Sequence, residues 1–472
     1  MTKISKELLQ RFTDIVGEKY AIDESGDQSH YTHDNRDIYI GKTPLVLRPA
    51  NTAEVAAIVK LAHETGTKIV PQGGHTGHVA GGVPNDTNDE IVVVLGRMNK
   101  VRDLDLAGDT MTLEAGFILE NAQKLADEND RLFPLSIGSK GSCQIGGNIS
   151  TNAGGTGVLA YGNTREMVLG LEVVLPNGDI WNGLRRLKKD NTGYNLKGLF
   201  IGAEGTLGIV TAAVLKLFPK PKSRDVAFVG LDSPQKALDL LQVAKGGAGS
   251  SLTGFEIIPR IGIEFVLRYQ DQIRDPMGEA HPWYVLMEIS SNRPDGDASG
   301  MMQEILGEAF ENGVVNDAAI AQSITQQDEF WNIRETLAPA QKPEGGSIKH
   351  DISVPVHSVP EFFDKAETII MRELPNSRIC GFGHMGDGNI HYNISVPIGE
   401  DSEKFLTNRL RINGLIHQLV LSLNGSISAE HGIGKLKKEM MAETKDPIEL
   451  NLMKALKKAV DPQGLMNPGK ML

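Results

Sequence analysis

The sequence has little cysteine, no long apolar run and no excess of positive charge, and each shortage excludes a class of protein. Cys143 and Cys380 are the two cysteines among 472 residues, which excludes a disulfide framework and is typical of a reducing compartment. The longest stretch without a charged side chain, residues 141–164, is rich in glycine and polar residues, so we expect no membrane span. Residues 1–25 carry charges and lack an apolar core, so we expect no signal peptide and a cytoplasmic protein.

Basic residues are outnumbered by acidic ones, 48 to 60, for a net charge of -12, and no basic block interrupts this balance. A nucleic-acid partner is therefore not expected. Glycine, by contrast, is abundant, with 52 residues that cluster in a few places. Such clusters let bare backbone approach another group closely, and we expect that group to be a cofactor.

The order of apolar patterns predicts an α+β protein of more than one domain. A helix with Val55, Ile58, Val59 and Ala62 on one face is predicted to follow Thr52 as N-cap. A strand-like run over 208–218 ends at Pro219-Lys220-Pro221, so we place the boundary of a first domain, 1–221, there. Predicted strands at 283–290, 347–355 and 391–397 and a long helix over 404–423 form a second domain, 222–423, before a helical segment, 424–472.

Two glycine clusters could hold a phosphate group. They span Gly73–Gly77 and Gly141–Gly155, and amides freed by glycine form anion-binding concavities. One such cluster alone is as easily a surface loop, but two of them, with a third glycine motif at Glu204–Gly208, favour diphosphate binding.

Two further segments match the dinucleotide pattern G-x-G-x-x-G/A, namely Gly381–Gly386 and Gly155–Ala160. Neither follows a buried strand that could open a βαβ unit, which that fingerprint requires. We therefore expect no Rossmann-type NAD site.

A third constellation offers metal ligands. His384 and His391 are separated by seven residues across a glycine-rich turn, and Glu430 comes later, followed by His431. Two imidazoles and a carboxylate are the ligand set of a catalytic metal with open positions. A histidine pair alone is more often structural, but four such residues in glycine-flanked motifs favour the metal. Asp387 is interpreted as a turn residue.

Arg334 and Lys349 are cations within helix-like and strand-like patterns. On a solvated face they would have no role, whereas an anionic substrate beside a metal would require them.

Taken together, these motifs resemble those of the flavin-dependent 2-hydroxyacid dehydrogenases of the vanillyl-alcohol-oxidase/PCMH superfamily, and most of all those of its members that oxidise D-2-hydroxyglutarate. The resemblance implies an α+β fold with a PCMH-type FAD-binding domain of two α+β subdomains, a substrate or cap domain and a C-terminal segment that returns to the flavin. It implies that FAD is bound by Pro71, Gly73, Gly74, His75, Thr76, Gly77, Gly138, Gly141, Ser142, Gly146, Gly147, Thr151, Asn152, Gly154, Gly155, Gly205, Ile209 and Asn467.

The resemblance also assigns the second domain. It implies a divalent metal, expected to be zinc, on His384, His391 and Glu430, and substrate contacts from Arg334, Lys349, Asn393 and His431. His431 is the expected general base, which takes the hydroxyl proton while a hydride passes to FAD. Members that use dicarboxylates are expected to carry a hydroxyl residue one helical turn after the arginine, where this sequence has Ala338.

The predicted activity is oxidation of D-2-hydroxyglutarate to the 2-oxo acid. The alternatives are D-lactate or glycolate oxidation within the same family, a metal-dependent hydrolase, and a metal- or nucleotide-binding regulatory protein. We expect electron-transfer flavoprotein or a quinone as electron acceptor, a homodimer, and no covalent flavin link at His75.

Overall fold

The structure is a computed structural model that describes residues 4–24, 26–293 and 297–472. Residues 1–3 and 25, within the stretch expected not to be a signal peptide, lie outside the described residues. The chain forms two compact units: unit 1 comprises Met1–Gly154, Gly162–Pro219 and Glu430–Leu472, and unit 2 comprises Gly155–Tyr161 and Lys220–Ala429. The segment predicted as separate, 424–472, is thus divided between the units, most of it belonging to unit 1.

The strands of the described residues are β1 (Ala21–Asp23), β2 (Leu45–Leu47), β3 (Lys68–Gln72), β4 (Glu90–Val94), β5 (Val101–Asp105), β6 (Thr110–Glu114), β7 (Arg131–Leu132), β8 (Val168–Val174), β9 (Ile180–Gly183), β10 (Ile209–Lys216), β11 (Phe218–Pro219), β12 (Ser223–Leu231), β13 (Leu252–Pro259), β14 (Trp283–Ser291), β15 (Asp317–Ile320), β16 (Ser347–Ser353), β17 (Arg378–His384) and β18 (Asn389–Ser395).

The α-helices of the same residues are α1 (Lys6–Val16), α2 (Ser29–Thr32), α3 (Thr52–Thr65), α4 (Leu119–Asp127), α5 (Ile145–Ser150), α6 (Val158–Tyr161), α7 (Thr164–Met167), α8 (Lys197–Phe200), α9 (Pro234–Ala248), α10 (Arg260–Tyr269), α11 (Asp297–Glu311), α12 (Ile324–Ala340), α13 (Val359–Glu373), α14 (Ser402–Leu406), α15 (Arg409–Ser422), α16 (Lys438–Thr444) and α17 (Pro447–Val460).

Unit 1 contains two main sheets. In the first, of order β1-β2-β4-β3, the neighbours β2, β4 and β3 pair in parallel and β1 is antiparallel. Helix α3 connects β2 to β3 and buries Val55, Ile58, Val59 and Ala62, which confirms its predicted apolar face. The second sheet is antiparallel, of order β5-β6-β10-β8-β9. Parallel strands need a crossover helix and antiparallel ones do not, which explains the two architectures.

Unit 2 is built on one antiparallel sheet of order β15-β12-β14-β13-β17-β18-β16. Because successive strand residues point to opposite faces, Tyr392 and Ile394 enter the apolar core that includes residues of α9, α11, α13 and α15. Their neighbours His391 and Asn393 share the other face with Phe382, whose apolar cluster includes residues of α10 and α12. The predicted α+β class is confirmed, and polar residues gather on one face of this sheet.

Two local predictions were wrong. The N-cap of α3 is Asn51, whose side chain accepts the amide of Glu54, whereas the Thr52 hydroxyl donates to Glu172. The long helix over 404–423 is broken between α14 and α15, because the Thr407 hydroxyl donates to the Lys404 carbonyl and the Asn408 side chain donates to the Phe405 carbonyl. Such local bonds compete with helix continuation.

No helix within the described residues is both long enough and apolar enough to cross a membrane.

Candidate functional site

The two glycine clusters of unit 1 lie against each other. A Cβ added at Gly74 would overlap the Ser142 carbonyl oxygen and lie 3.0 Å from the Cys143 Cα, and one at Gly73 would lie 3.6 Å from the Gly147 amide. Only glycine permits this approach of backbone to backbone. The loop after β3 and the segment that leads into α5, about 70 residues apart in the chain, therefore lie backbone against backbone.

Some of these glycines face open space instead of protein. A Cβ at Gly77, Gly138 or Gly147 would have no protein atom within 4 Å, so packing among the described residues does not require glycine there. Nearby polar atoms also lack partners, because Gln144 Oε1 and Asn467 Oδ1 are buried without a hydrogen bond to any described residue. Bare backbone beside unpaired buried polar atoms fits a polar ligand such as a dinucleotide.

His75 occupies the same loop in the left-handed region, with φ of 58°. Its Nε2 bonds the carbonyl oxygen of His33. Burial lowers the pKa of His75, and the bond to His33 opposes that change. The ring is therefore held by protein, although the expected absence of a covalent flavin link stays a prediction.

Glu204 and Gly205 form a strained turn beside this loop, with φ of 51° and 71°. A Cβ at Gly205 would overlap the ring of Pro71, so the turn packs directly against the start of the glycine loop. Asn467 joins them from the C-terminal segment, because its Nδ2 donates to the carbonyls of Gly81 and Glu204 at 2.9 and 2.7 Å. The structure thus brings Pro71, Gly205 and Asn467 close to the same turn, and their contact with a flavin stays a prediction.

The carboxylate of Glu204 fixes the chain after His431. It accepts the amides of Ile433 and Gly434, both at 2.7 Å. Burial raises the pKa of Glu204, and these two amide bonds oppose the rise. His431 itself packs edge-on against His78, with ring centroids 4.8 Å apart. The ring of the expected general base therefore packs on His78, and Glu204 fixes the chain that follows it.

Several other predicted flavin residues have structural roles of their own. Ile209 is buried in an apolar core of unit 1, where its side chain packs against other apolar residues. Residue 146 must be glycine because a Cβ added there would lie 2.7 Å from the Cβ of Ala115. Thr151 donates to the Gly147 carbonyl, and Asn152 accepts the Arg165 amide.

The remaining predicted flavin residues lie in or beside the same loops: Thr76, Gly141, Ser142, Gly154 and Gly155, the last in unit 2.

In unit 2, the hairpin of β17 and β18 brings His384 and His391 together, with ring centroids 5.5 Å apart. The turn between them is formed by Asp387, whose carboxylate accepts the Asn389 amide at 3.0 Å, and by Gly388, with φ of 84°. This confirms Asp387 as a turn residue. The sequence separation of seven residues therefore places both imidazoles on one face of the hairpin.

One buried carboxylate connects this hairpin to α12. Glu256, on β13 and 1% exposed, bonds His384 Nδ1 through Oε1 and accepts Arg334 Nε through Oε2, both at 2.6 Å. Burial opposes ionisation of Glu256, but the charges and hydrogen bonds of His384 and Arg334 outweigh it and hold the pKa of Glu256 at about 2. The Arg334 guanidinium also lies over the Phe382 ring, 4.9 Å from its centroid.

The predicted substrate residues Lys349 and Asn393 lie directly opposite each other on β16 and β18. Lys349 is exposed, whereas Asn393 is buried and donates to Gln341 Oε1 at 3.0 Å. Asp351 lies opposite His391, with its carboxylate 3.9 Å from His391 Nδ1. The polar face of the sheet thus carries both histidines, two carboxylates and Lys349, and Arg334 reaches this face from α12.

The sequence analysis missed Glu256, Asp351 and Gln341. Asp351 could have been found, because period-two alternation in 347–353 puts it on the face of Lys349. Glu256 gave a weaker signal, a single acid in the apolar strand 252–259. Gln341 gave none, since its partner lies 52 residues away.

Two family models match the chain. One, described as the FAD binding domain, matches residues 43–183, and the other, described as the C-terminal domain of FAD linked oxidases, matches residues 220–471. The first match covers both glycine clusters of unit 1, and the second covers the hairpin of His384 and His391.

Relatives and a solved structure agree with these matches. The chain is 38% identical to the mitochondrial D-2-hydroxyglutarate dehydrogenase of Arabidopsis thaliana, over 98% of this chain and 80% of the relative. It is 35% identical to a putative mitochondrial D-lactate dehydrogenase of Schizosaccharomyces pombe, over 99% and 90%. Its fold is similar to that of p-cresol methylhydroxylase with substrate bound, with a TM-score of 0.78, 16% identity and coverage of 98% and 96%.

These findings support an FAD-linked oxidoreductase acting on a D-2-hydroxy acid, so the hydrolase and regulatory-protein alternatives are set aside. The names of both relatives include a mitochondrial location, so they lend no support to the cytoplasmic prediction. The sequence motifs, the paired glycine loops and the matches over nearly the whole chain agree. The chain belongs to the FAD-linked D-2-hydroxyacid dehydrogenases.

Proposed function

We propose that this chain oxidises D-2-hydroxyglutarate to 2-oxoglutarate, with FAD as the hydride acceptor and a zinc ion on His384, His391 and Glu430. The observation that carries the proposal is the cluster in unit 2, in which Glu256 bonds both a histidine and an arginine. A 2-hydroxy acid presents a carboxylate beside a hydroxyl group. Its oxidation therefore calls for a cation that binds the anion next to a group that polarises the hydroxyl.

The donor set suits a divalent ion. Imidazole is a common zinc ligand, and metal-bound histidines usually donate their second ring nitrogen to a carboxylate or carbonyl. His384 has that arrangement through Glu256, and the ring of His391 lies beside it. Glu430 follows Ala429, whose amide donates to the Asp351 carbonyl at 3.4 Å, and we propose it as the third ligand.

When bound, FAD accepts a hydride and a divalent ion lowers the pKa of the substrate hydroxyl. His431 is the proposed general base, because histidine is the side chain that most often takes or gives a proton in catalysis. The packing of its ring on His78 and the bonds from Glu204 to the residues after it restrict its movement. Restricted movement of a base favours the reactive geometry.

Arg334, Lys349 and Asn393 are the proposed substrate contacts. Arg334 uses Nε for Glu256, and its terminal nitrogens bond no other described residue, which leaves them able to grip a carboxylate in a bidentate manner. Lys349 is exposed on the same sheet face and is the proposed partner of a second carboxylate.

D-lactate is the second candidate substrate, and glycolate is a further one. Two observations favour a monocarboxylate: Glu256 already balances the charge of Arg334, and Ala338, one turn after Arg334, cannot donate a hydrogen bond to a distal carboxylate. One cation, Lys349, then remains for the second carboxylate of D-2-hydroxyglutarate.

The test is flavin bleaching without oxygen, followed in the purified holoenzyme with D-2-hydroxyglutarate, its L enantiomer, D-malate, D-lactate and glycolate. We expect the highest kcat/KM for D-2-hydroxyglutarate. Lys349→Met should lower kcat/KM for dicarboxylates more than for D-lactate, whereas Arg334→Met should lower it for every substrate. A kcat/KM for D-lactate equal to or above that for D-2-hydroxyglutarate would assign the enzyme to D-lactate instead.

Electron-transfer flavoprotein or a quinone is the proposed acceptor for the reduced flavin, and a homodimer is the proposed assembly. Reoxidation rates with each acceptor and the mass in solution test these two proposals.

A further inference from the structure

We infer that Glu256 is a positioning residue that holds the proposed metal ligand His384 and the substrate cation Arg334 in one fixed arrangement. The inference rests on the function proposed above and concerns a residue outside the motifs of the sequence analysis. Glu256 lies 78 residues before Arg334 and 128 residues before His384 in the chain. Strand pairing brings Glu256 to His384, and the packing of α12 on the sheet brings Arg334 to Glu256.

The carboxylate is divided between its two partners. Strand β13 pairs with β17 so that Glu256 lies directly opposite His384, and Oε1 bonds its Nδ1 at 2.6 Å. Oε2 bonds Arg334 Nε, also at 2.6 Å, from a helix that packs on the same sheet face. Each oxygen therefore has one partner, and removing either partner would leave a buried charge only half compensated.

The bond to His384 determines which ring nitrogen can bind a metal. When Nδ1 carries the proton that Glu256 accepts, Nε2 carries the lone pair. The carboxylate also raises the basicity of the imidazole and fixes its orientation. The Asp351 carboxylate lies 3.9 Å from His391 Nδ1, farther than Glu256 from His384, and it accepts Asn389 Nδ2 at 3.1 Å. Glu256 is thus the carboxylate that orients a histidine of this pair.

The bond to Arg334 determines where the guanidinium presents its remaining donors. Nε is held by Glu256 and the guanidinium carbon lies 4.9 Å from the centroid of the Phe382 ring, so the rigid fork of the guanidinium is restricted by two contacts. In the proposed site, Arg334 would bind the substrate carboxylate and His384 would bind the metal. Because Glu256 bonds both side chains, it fixes their positions relative to each other. A shift of Glu256 should disturb both binding events together.

A second buried carboxylate in unit 2 provides a matched control. Glu344 is also buried and bonds two arginines, Arg268 and Arg378, but it contacts neither histidine nor Arg334. Glu256→Gln and Glu344→Gln make the same chemical change at two buried carboxylates. Both should lower the thermal midpoint, and only the first should affect the site.

The experiment measures zinc affinity, by competition with a chromogenic chelator, and steady-state kinetics on FAD-loaded protein of both variants and the unchanged chain. For Glu256→Gln we expect zinc affinity to fall by about 10- to 100-fold, with KM raised and kcat lowered. FAD content should stay unchanged. Glu344→Gln should keep zinc affinity, KM and kcat. Glu256→Asp, which keeps the charge but is one methylene shorter, should give an intermediate zinc affinity and decides the matter if Glu256→Gln does not fold.

Zinc affinity in Glu256→Gln or Glu256→Asp equal to that of the unchanged chain would overturn the inference. An unchanged chain that binds no zinc overturns both the inference and the metal part of the proposed function. If Glu256→Gln loses zinc affinity while the unchanged chain oxidises no 2-hydroxy acid, the proposed function fails and the positioning of His384 stands.

Discussion

The two units build their candidate sites from different chemical groups. In unit 1 the site is mainly backbone: glycines 73, 74 and 147 bring amides together, and the buried carboxylate of Glu204 accepts two more amides. In unit 2 the site is formed by side chains of one sheet face and of α12, and the buried carboxylate of Glu256 bonds an imidazole and a guanidinium. A diphosphate needs many weak donors in a curved surface, whereas a small acid needs a few strong, oriented ones.

The two buried carboxylates also differ in how their surroundings shift their pKa values. Amide dipoles offset the burial of Glu204 only in part, so its pKa remains raised. Two potential cations more than offset the burial of Glu256, and its pKa is lowered to about 2. The two carboxylates therefore differ in direction: the partners of Glu256 favour its charged form, and the burial of Glu204 favours its neutral form.

The sharpest test of this division is His384→Ala. We expect it to abolish zinc binding and turnover while FAD stays bound, because the flavin loops belong to unit 1 and the histidine to unit 2. Zinc content, FAD content and turnover of the same preparation give the answer. Chelation of the unchanged enzyme should have the same effect, and loss of FAD from the folded variant would contradict the prediction.

A smaller effect is expected for Gly147→Ala in α5. Nothing in the described protein lies within 4 Å of the added methyl group, and alanine favours a helix over glycine by about 0.8 to 1 kcal/mol. The apoprotein should therefore become more stable. If FAD lies on this surface, the methyl group crowds it, and a cost of about 1 to 3 kcal/mol would raise the FAD dissociation constant about 5- to 150-fold.

Thermal melts of the apoprotein measure the expected gain in stability, and flavin titrations measure the expected loss of FAD affinity. Gly74→Ala is the control, because its methyl group would overlap Ser142 and should destabilise the apoprotein as well. Unchanged FAD affinity in Gly147→Ala would remove that glycine from the flavin surface.

The smallest effect on turnover is expected for Lys470→Met in unit 1. Lys470 is fully buried, and its Nζ lies 3.7 Å from the Glu90 carboxylate. This distance is longer than the 2.6 Å between Arg334 Nε and the Glu256 carboxylate. Burial lowers the pKa of Lys470 from its ordinary 10.5 to about 8, and Glu90 only partly offsets that change. Between these values the unfolded chain binds more protons than the folded one, so the free energy of unfolding should rise with pH.

Denaturant unfolding at pH 8 and at pH 10 measures this rise, which is at most about 3 kcal/mol for the full shift. Lys470→Met should remove it and leave turnover at neutral pH unchanged. The same rise in both proteins would show that Lys470 is not the group responsible.

The sequence by itself determined the local parts of this protein. The glycine clusters, the turn at Asp387 and the apolar face of α3 depend on residue type and on spacing within one or two turns, so they could be predicted before any contact was known. The two histidines belong here too, since their separation of seven residues spans one tight hairpin. The motifs in their order were sufficient for the family.

Tertiary structure decided which distant residues meet. Glu256 reaches His384 because β13 neighbours β17 in the sheet, and Glu204 reaches the amide of Ile433 across 229 residues. Neither pairing leaves a local pattern, because a lone acid in a strand looks the same whether its partner is water or an arginine. Strand order and helix packing select the partner, and burial then makes the pairing obligatory, since an isolated charge inside the protein would be too costly to keep.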